Sequence, residues 1–384
     1  MKIGIIGARI AGSYAGLLLS RMGHEVLLFD DSVEKHKPCG GGLTSKVLRK
    51  MPWLHQQSLP HTAVETVHFT TSDGYASTLK LPNPIYVFPR LSLDTFLLQS
   101  AIREKARFLP ERVKSFESGD EGWTIRSSGG SYAVDYLIGA DGVQSSVRAS
   151  LLAPFPASDL VLALGYRLPG VSEPGKIRIA YQERGFIGYL WSFPCADHAS
   201  VGIGRWLPGT RSADLKRRVD EFISTHYPGA GSEKEFYAAL IPCLSRKSLT
   251  RQKVCGANWA LLGDAAGFTD GVTAEGIYYA LRSAELLAES LHTGKPKAYE
   301  AAWRSEFGPN LLTSALWRDV FYCRSVLSQS FIRRSLQAVR HSRLIQKMLD
   351  DLVCGKINYR TVFWTLVLRS PQILTQAFRH KYAN

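Results

Sequence analysis

A glycine-containing turn near the start of the chain has the residue types needed to hold a pyrophosphate. Gly7 ends an apolar stretch, residues 3–7, and Gly12 follows at the spacing of the first and third glycines of a dinucleotide fingerprint. The pattern of residues 10–22 predicts a helix, whose N-terminal N–H groups attract phosphate oxygens. A second strand is predicted to lead into an acid that accepts hydrogen bonds from ribose hydroxyls. The predicted dinucleotide site comprises Gly7, Ala8, Arg9, Ile10, Ala11, Gly12, Asp30 and Asp31.

The middle position of this fingerprint is Arg9 where glycine is usual. That glycine normally lets the backbone approach the phosphates. Two interpretations remain open at this point. In one, Arg9 points outward and its guanidinium adds positive charge beside the phosphates; in the other, binding is weakened. A β-α-β turn without a ligand is the remaining alternative.

Three later segments resemble motifs of the FAD monooxygenase-like superfamily, which includes p-hydroxybenzoate hydroxylase. Residues 139–148 resemble its Asp-Gly motif, residues 262–266 its Gly-Asp motif, and Arg90 the arginine before a helix that faces the cofactor. The first motif of this chain, Gly-Ala-Arg-x-Ala-Gly, also resembles a variant found in this superfamily, in which arginine takes the place of the middle glycine. The resemblance implies that the dinucleotide is FAD and that the acid of the Gly-Asp motif contacts the ribityl chain. The cofactor residues it implies are Arg90, Asp141, Gly142, Gly263 and Asp264.

The segment after Asp264 predicts a tight turn into a helix near Ala274. Gly271, Thr273 and Gly276 belong to this turn and complete the predicted cofactor set. The N–H groups and the dipole of such a helix stabilise negative charge on a reduced flavin. An ordinary loop is the alternative interpretation.

Two further segments resemble the geranylgeranyl reductases. They are Pro38-Cys39-Gly40-Gly41-Gly42, and Tyr189-Leu190-Trp191-Ser192-Phe193-Pro194 followed by a Gly-x-Gly at residues 202–204. The resemblance implies an FAD-dependent reductase of isolated double bonds in prenyl chains. The chain departs from the family pattern at Cys195, where the family has lysine.

The resemblance places the loop containing Cys39, Gly40 and Gly41 near the flavin ring, as the predicted catalytic segment. A thiol there would pass a proton to one alkene carbon while hydride reaches the other, and an inert buried cysteine is the alternative. Side chains alternate along a strand, so Tyr189, Trp191 and Phe193 share one face and are predicted to line an apolar substrate. Packing in the core of the second sheet is the alternative for these three.

Two other functions stay open on the sequence. One is an FAD-dependent monooxygenase or halogenase, although halogenases have Trp-x-Trp-x-Ile-Pro where this chain has Tyr189, Trp191 and Phe193. The other is a flavin- or lipid-binding protein without turnover. No second dinucleotide fingerprint is present, so electrons are expected from transiently bound NAD(P)H or another reduced donor.

Charge is concentrated at the end of the chain. The 384 residues carry a net charge of +14, and residues 318–384 hold twelve Lys and Arg against three acids. Arg333, Arg334, Arg340 and Arg343 alternate with apolar residues, a pattern that fits docking on a membrane surface and equally a solvated helical face packed on the domain. Nucleic acid is the weakest candidate because no recognition motif accompanies the charge.

The six cysteines show neither Cys-x-x-Cys spacing nor a metal pattern, and no apolar run reaches the roughly 18 residues of a membrane span. These features predict a reduced cytoplasmic protein without metal; association with the membrane surface and the oligomeric state stay open.

The fold class expected is α/β: a Rossmann-like FAD-binding domain interleaved with an antiparallel substrate domain, followed by a helical region. The predicted bounds are 1–62, 89–158 and 250–295 for the FAD-binding domain, 63–88 and 159–249 for the substrate domain, and 296–384 for the basic helical region.

Overall fold

The computed structural model describes residues 1–54, 59–171, 173, 175–230, 233–326, 329–353 and 356–368. The chain divides into two compact units, each built from three separate segments. Unit 1 comprises Met1–Lys37, Arg90–Leu160 and Leu240–Leu312, and unit 2 comprises Pro38–Pro89, Val161–Ala239 and Thr313–Asn384. The units differ from the predicted domains chiefly at residues 38–62, which fall in unit 2, and at the basic region, which is divided between both units.

The strands follow the order expected for interleaved sheets. They are β1 Lys2–Ile6, β2 Glu25–Phe29, β3 Gly42–Leu43, β4 Thr62–Thr71, β5 Ala76–Val87, β6 Arg107–Leu109, β7 Val113–Gly119, β8 Gly122–Ser127, β9 Ser131–Val134, β10 Tyr136–Gly139, β11 Leu160–Pro169, β12 Lys176–Tyr181, β13 Gly188–Pro194, β14 His198–Trp206, β15 Glu235–Pro242, β16 Trp259–Leu261, β17 Ser325–Val326 and β18 Gln329–Ser330.

The helices account for most of the chain beyond β16. They are α1 Ile10–Arg21, α2 Ser45–Lys50, α3 Arg90–Arg103, α4 Ser146–Leu151, α5 Ser212–His226, α6 Arg246–Arg251, α7 Ile277–His292, α8 Ala298–Glu306, α9 Gly308–Cys323, α10 Phe331–His341, α11 Arg343–Val353 and α12 Tyr359–Leu368. The short β17–β18 hairpin interrupts a region that the sequence pattern predicts to be helical throughout.

Unit 1 is built on a five-stranded sheet in the order β16-β10-β1-β2-β6, with each neighbouring pair parallel. Parallel sheets are covered on both faces, which explains the almost continuous apolar run of β1 and the four buried residues of β2. Helix α1 packs against α3 and α7. Because α1 begins soon after β1 ends, its N-terminus lies at the carboxyl end of the central strand. This is the usual position of a dinucleotide site.

Unit 2 contains an eight-stranded sheet in the order β15-β11-β14-β13-β12-β4-β5-β3. The two faces of β13 are chemically distinct. Leu190 belongs to an apolar cluster with Val201 and Ile203 of β14 and with Leu215 and Val219 of α5. The opposite face, which we call the aromatic face, carries Tyr189, Trp191 and Phe193. The predicted α/β class with a parallel dinucleotide-binding sheet is confirmed; the second sheet, predicted to be antiparallel, also contains one parallel pair, β4 with β12.

The basic C-terminal region uses its apolar residues inside unit 2. Ile332 and Leu336 of α10 are buried in a cluster with Tyr322, and Tyr189 packs against this cluster. Arg333 forms an ion pair with Asp73 at 2.6 Å, in the turn between β4 and β5. One apolar face of the predicted amphipathic pattern is thus covered by the protein itself. Arg369, Arg379, Lys381 and Cys354 lie outside the described residues.

Candidate functional site

The two retained fingerprint glycines are required by the backbone of unit 1. Gly7 has φ +98°, and a Cβ there would lie 2.4 Å from the carbonyl oxygen of Ala140. A Cβ on Gly12 would lie 1.8 Å from the carbonyl oxygen of Gly7. No side chain caps the N-terminus of α1. These residues form the turn that leaves a helix N-terminus open to a phosphate group.

Asp30 holds the turn together at the end of β2. Its Oδ2 accepts a hydrogen bond from the backbone N–H of Ala8 at 2.9 Å. Its Oδ1 accepts from the N–H and the hydroxyl of Ser32 at 2.8 and 2.7 Å. Asp31 is exposed, Ala8 and Ile10 are buried, and Ala11 is half-buried. Asp30 is thus fixed beside the fingerprint, whereas none of these contacts involves Asp31.

Arg90, the first residue of α3, lies in a buried charged cluster. Its Nη2 donates to both carboxylate oxygens of Asp94, at 3.0 and 3.3 Å. The Asp94 side chain is 3% exposed and also pairs with Arg9 at 3.4 Å. The structure therefore brings the arginine of the first motif and the arginine before α3 to one carboxylate. The sequence shows both arginines but does not indicate that they share a partner.

Asp141 presents one satisfied and one unsatisfied oxygen. Oδ2 accepts from the N–H and the hydroxyl of Ser146 at 2.6 and 2.9 Å, at the start of α4. Oδ1 is buried and has no hydrogen-bond partner among the described residues. Gly142 has φ +82°, which suits glycine in the turn between β10 and α4. A buried carboxylate oxygen without a donor is costly, so this atom suits a ligand hydroxyl or a bound water.

Asp264 lies in the short 3₁₀ turn Gly263–Ala266 that follows β16. Its Oδ2 forms an ion pair with Lys37 Nζ at 2.9 Å. Gly263 has φ +52° and its N–H donates to Ser283 at 3.1 Å. Lys37 is a site residue that the sequence analysis missed. Its position directly before Pro38 and Cys39 is the one signal that points to it.

The turn after Asp264 is longer than the sequence predicts. Helix α7 begins at Ile277 and not near Ala274, because Ala274 has φ +57° and cannot continue a right-handed helix. Asp270 accepts the N–H groups of Val272 and Thr273, both at 2.9 Å. The Thr273 side chain is exposed, Gly271 is half-buried, and Gly276 is the N-cap residue.

The first turn of α7 lies beside a second open acceptor. Thr269 Oγ1 is buried without a partner in the described part of the chain. A Cβ on Gly276 would lie 3.5 Å from this oxygen and 3.2 Å from Asp264 Oδ1. No side chain caps α7. Open helix N-termini and unsatisfied buried oxygens are the features that a dinucleotide with hydroxyl and phosphate groups would satisfy, so unit 1 fits FAD.

The glycine-rich loop of unit 2 is held tightly around Cys39. Gly41 has φ +71°, and a Cβ there would lie 2.2 Å from the carbonyl oxygen of Phe88. Cβ atoms on Gly40 and Gly42 would lie 2.7 and 2.9 Å from the ring of Phe193. The N–H of Gly41 donates to Cys39 Sγ at 3.3 Å. The loop therefore lies against the aromatic face and turns the Cys39 thiol toward a backbone donor.

The aromatic face explains the Gly-x-Gly that follows it. Trp191 is paired with Gly202 across β13 and β14, and Tyr189 with Gly204. A Cβ on Gly202 would lie 2.5 Å from the indole of Trp191. The indole thus takes the space that the missing side chain leaves. Tyr189 and Phe193 remain half-buried, and Trp191 is 8% exposed.

Two buried hydroxyl groups support the Cys39 loop. Ser200 is paired with Phe193 in the sheet, and its hydroxyl donates to the carbonyl oxygen of Cys39 at 3.1 Å. Ser200 also hydrogen-bonds Tyr237 at 3.1 Å, and burial raises the pKa of the Tyr237 hydroxyl. The sequence analysis missed Ser200 and Tyr237, because no motif contains them.

Cys195 follows β13 and differs from Cys39 in its surroundings. Burial raises the pKa of its thiol to about 12, and the negative charge of Asp197 adds to the shift. The five described cysteines, Cys39, Cys195, Cys243, Cys255 and Cys323, are free thiols. Within the described part of the chain, no group of three or more His, Cys, Asp or Glu is arranged to hold a metal ion.

Comparison with known families identifies the class. Residues 1–167 match the FAD binding domain family. This match covers the fingerprint, Asp30, Arg90 and Asp141, whose geometry in unit 1 is described above. Residues 1–167 therefore resemble an FAD binding domain, in agreement with the FAD site predicted from the sequence.

Three curated relatives align over most of the chain. It is 28% identical to digeranylgeranylglycerophospholipid reductase 2 of Methanothermobacter thermautotrophicus, over 82% of this chain and 86% of that protein. It is 27% identical to the menaquinone reductase of Mycolicibacterium smegmatis, over 87% and 85%. It is 25% identical to the geranylgeranyl diphosphate reductase of Synechocystis, over 94% and 97%. The predicted resemblance to geranylgeranyl reductases is confirmed.

Solved structures share the fold. A geranylgeranyl bacteriochlorophyll reductase-like protein of Thermoplasma acidophilum matches 91% of this chain and 98% of its own, with TM-score 0.73 and 20% identity. The flavin-dependent brominase Bmp2 matches 97% and 100%, with TM-score 0.70 and 14% identity. The same fold thus occurs in proteins named as a reductase-like protein and as a halogenating enzyme, so fold alone does not choose the reaction.

Proposed function

We propose that the protein reduces carbon–carbon double bonds of an isoprenoid lipid, with FAD bound by unit 1. Curated relatives named as reductases of geranylgeranyl compounds, aligned over most of the chain, support this reaction. The observation in the structure that carries the proposal is the aromatic face of unit 2. There Tyr189, Trp191 and Phe193 share one face of β13, and Phe193 lies against the Cys39 loop; Trp191 is buried, so the half-buried rings of Tyr189 and Phe193 would contact the lipid chain.

The residues of unit 1 would hold the cofactor in the following way. The N-terminus of α1 would bind the pyrophosphate, Asp30 would bind the adenosine ribose, and Asp141 and Asp264 would bind hydroxyl groups of the ribityl chain. When bound and reduced, FAD supplies the hydride. The N-terminus of α7 adds a partial positive charge that favours the anionic form of the reduced cofactor.

The residues of unit 2 would hold the alkene and complete the proton balance. Reduction of one double bond adds a hydride to one carbon and a proton to the other, so the alkene gains two electrons and two hydrogens. The Cys39 thiol gives the proton. The Gly41 N–H stabilises the charge left on Sγ, and solvent returns the proton. An isolated alkene has no polar group to activate, so positioning and exclusion of water supply much of the rate.

The donor that reduces the cofactor is proposed to be NAD(P)H, bound transiently, or another reduced carrier. Contact with a membrane surface is also part of the proposal. Because α10 buries its apolar residues in unit 2, we propose that the contact uses exposed apolar residues of other C-terminal helices, among them Trp364 and Leu368 of α12, which are 51% and 76% exposed. None of the described helices combines the length and apolarity needed to cross a bilayer.

Mass spectrometry of the products tests the reaction. The chemically reduced holoenzyme is incubated without oxygen with geranylgeranyl glycerophospholipid, geranylgeranyl diphosphate and menaquinone in parallel. A gain of two hydrogens for each reduced bond is expected with at least one substrate. Absence of any gain, together with substrate-stimulated oxygen consumption in air, would assign the chain to the monooxygenases or halogenases. Bound FAD without either reaction would leave only a flavin-binding role.

A pair of cysteine variants tests the thiol. Cys39→Ala should keep FAD and lose about 10²- to 10⁴-fold of the reduction rate, the usual contribution of a general acid. Cys195→Ala removes a buried thiol that directly follows β13 and should keep the rate within a few-fold. Equal effects in both variants would remove Cys39 from the mechanism.

A further inference from the structure

The middle fingerprint position does not require glycine for the fold of unit 1. Arg9 has φ −92° and ψ −160°, an extended conformation open to any residue. Its carbonyl oxygen accepts the first hydrogen bond of α1 from Ser13 at 2.8 Å. Gly7 and Gly12 differ, because a Cβ on either would collide with the backbone of unit 1. A side chain at position 9 is therefore permitted, and its direction decides what it does.

The Arg9 guanidinium is held within unit 1 by three acceptors. Nη2 donates to the carbonyl oxygens of Ser32 and Lys35 at 2.7 and 2.8 Å. Nη1 pairs with Asp94 Oδ2 at 3.4 Å, and the Arg9 side chain is 20% exposed. A planar guanidinium can serve several acceptors at once, which a lysine ammonium does less well. Arg9 thus ties the segment after β2 to α3.

That segment is the one that carries Asp30. Ser32 donates to Asp30 Oδ1 through its N–H and its hydroxyl, and its carbonyl oxygen accepts from Arg9. Ala8, which directly precedes Arg9, donates to Asp30 Oδ2. The carboxylate at the end of the second strand is the group that binds the adenosine ribose in this type of site. Its position is set on both sides by residues 8 and 9.

We propose that Arg9 is a positioning residue for the adenosine end of the FAD site. Its guanidinium fixes residues 30–35, and with them Asp30, beside the N-terminus of α1. The inference rests on FAD binding by unit 1 and is independent of the substrate. It predicts that changing Arg9 to the consensus glycine weakens cofactor binding. If the Arg9 side chain merely obstructed the phosphates, the same change would strengthen cofactor binding.

Dissociation constants test this inference without reference to turnover. The protein is freed of FAD and titrated with FAD and, separately, with ADP, which carries the adenosine end alone. Arg9→Gly should weaken both by roughly 10- to 100-fold, the loss expected for charged hydrogen bonds. Arg9→Lys keeps the charge and should recover part of both affinities. Arg21→Gly, at the other end of α1, should change neither.

The outcomes separate the possible failures. Unchanged or tighter FAD binding by Arg9→Gly would overturn the inference, as would a loss for FAD without a loss for ADP. If Arg9→Gly does not fold, Arg9→Lys decides: affinity for ADP equal to that of the unmodified protein would overturn the inference, and a several-fold loss in a protein of unchanged thermal stability would support it. Failure of the unmodified protein to bind FAD would instead overturn the proposed function.

Discussion

Most of the motif glycines of the two units are required for different reasons, although Gly41 of unit 2 lies against a backbone carbonyl group as Gly7 and Gly12 of unit 1 do. In unit 1, a side chain on Gly7 or Gly12 would collide with a backbone carbonyl group. In unit 2, a side chain on Gly40 or Gly42 would collide with the ring of Phe193, and one on Gly202 with the ring of Trp191. The backbone turn of unit 1 leaves helix N–H groups open, and Asp141 nearby keeps one buried oxygen without a described partner. The motifs of unit 2 are first of all packing motifs, which build the aromatic face. One unit is therefore shaped for a polar ligand and the other for an apolar one.

The largest expected effect is at the backbone turn of unit 1. Gly12→Ala would bring Cβ to 1.8 Å from the carbonyl oxygen of Gly7. We expect a loss of about 3 kcal/mol or more in unfolding free energy, at the upper end of overpacking costs, and loss of bound FAD. Gly16→Ala, in the same helix, meets only Leu28 at 3.1 Å and is the control. Urea denaturation and flavin content measure both, and equal effects would contradict the comparison.

The next effect is on the aromatic face. Gly202→Ala would meet the Trp191 indole at 2.5 Å, whereas Gly204→Ala meets nothing closer than 3.4 Å. Displacing the indole should cost about 1–3 kcal/mol, and the Gly204 variant should cost less than about 1 kcal/mol. Urea denaturation tests the pair. FAD affinity should stay unchanged in both, and a loss of FAD from Gly202→Ala would contradict the assignment of cofactor binding to unit 1 alone.

A smaller effect is expected from two serine hydroxyl groups that lie on opposite faces of the sheet, one on β13 and one on β14. Ser200 and Ser192 are each 2% exposed; Ser200 bonds the Cys39 carbonyl on the aromatic face, and Ser192 bonds Tyr227 on the other, at 2.7 Å. Each change to alanine should cost about 1 kcal/mol of stability. Only Ser200→Ala should also lower the rate of alkene reduction, by roughly 5- to 10-fold, a loss near 1 kcal/mol in transition-state stabilisation. Equal rates in the two variants would contradict a positioning role for Ser200.

The smallest expected effect concerns the ion pair between Arg333 of α10 and Asp73 in the β4–β5 turn. Hydrogen bonds from Thr71 and then from Arg333 hold the pKa of Asp73 below its ordinary value of 3.8. A lowered pKa stabilises the fold above the unfolded value, and this contribution disappears as the pH falls through the folded pKa. Since Asp73 is half exposed, the contribution should be under about 1 kcal/mol. The melting temperature of Asp73→Asn should lie below that of the unmodified protein at pH 7 and approach it below about pH 4; a constant difference would contradict this.

Much of unit 1 can be predicted from sequence because its motifs are local. The β1-α1-β2 order and the strand Glu25–Phe29 follow from periodicity, and Gly7 and Gly12 from a turn of fixed geometry. The start of α7 could not be predicted, since Ala274 gives no sign of its left-handed conformation. Cofactor roles of the individual residues remain predictions.

Contacts between distant segments were the part that the sequence could not indicate. Arg9 and Asp94, Lys37 and Asp264, and Ser200 and Cys39 meet only because the fold brings separate segments together. The charge pattern left two interpretations open for α10, a membrane-binding helix and a helix packed on the domain; in the fold, Arg333 and the apolar residues of α10 are bound within unit 2, as in the second. The composition of a segment shows which charged and apolar residues it contains. It does not show which of them are already paired or buried in the fold.

The most direct test of the central claim is the reoxidation of the reduced enzyme without oxygen. The flavin is reduced, excess reductant is removed, and a geranylgeranyl lipid is added while the visible absorbance of oxidised flavin is followed. We predict that the absorbance returns with the lipid alone, in proportion to the double bonds reduced, and that it does not return with the fully saturated lipid. A flavin that stays reduced with every prenyl lipid and reoxidises only when oxygen is admitted would contradict the account.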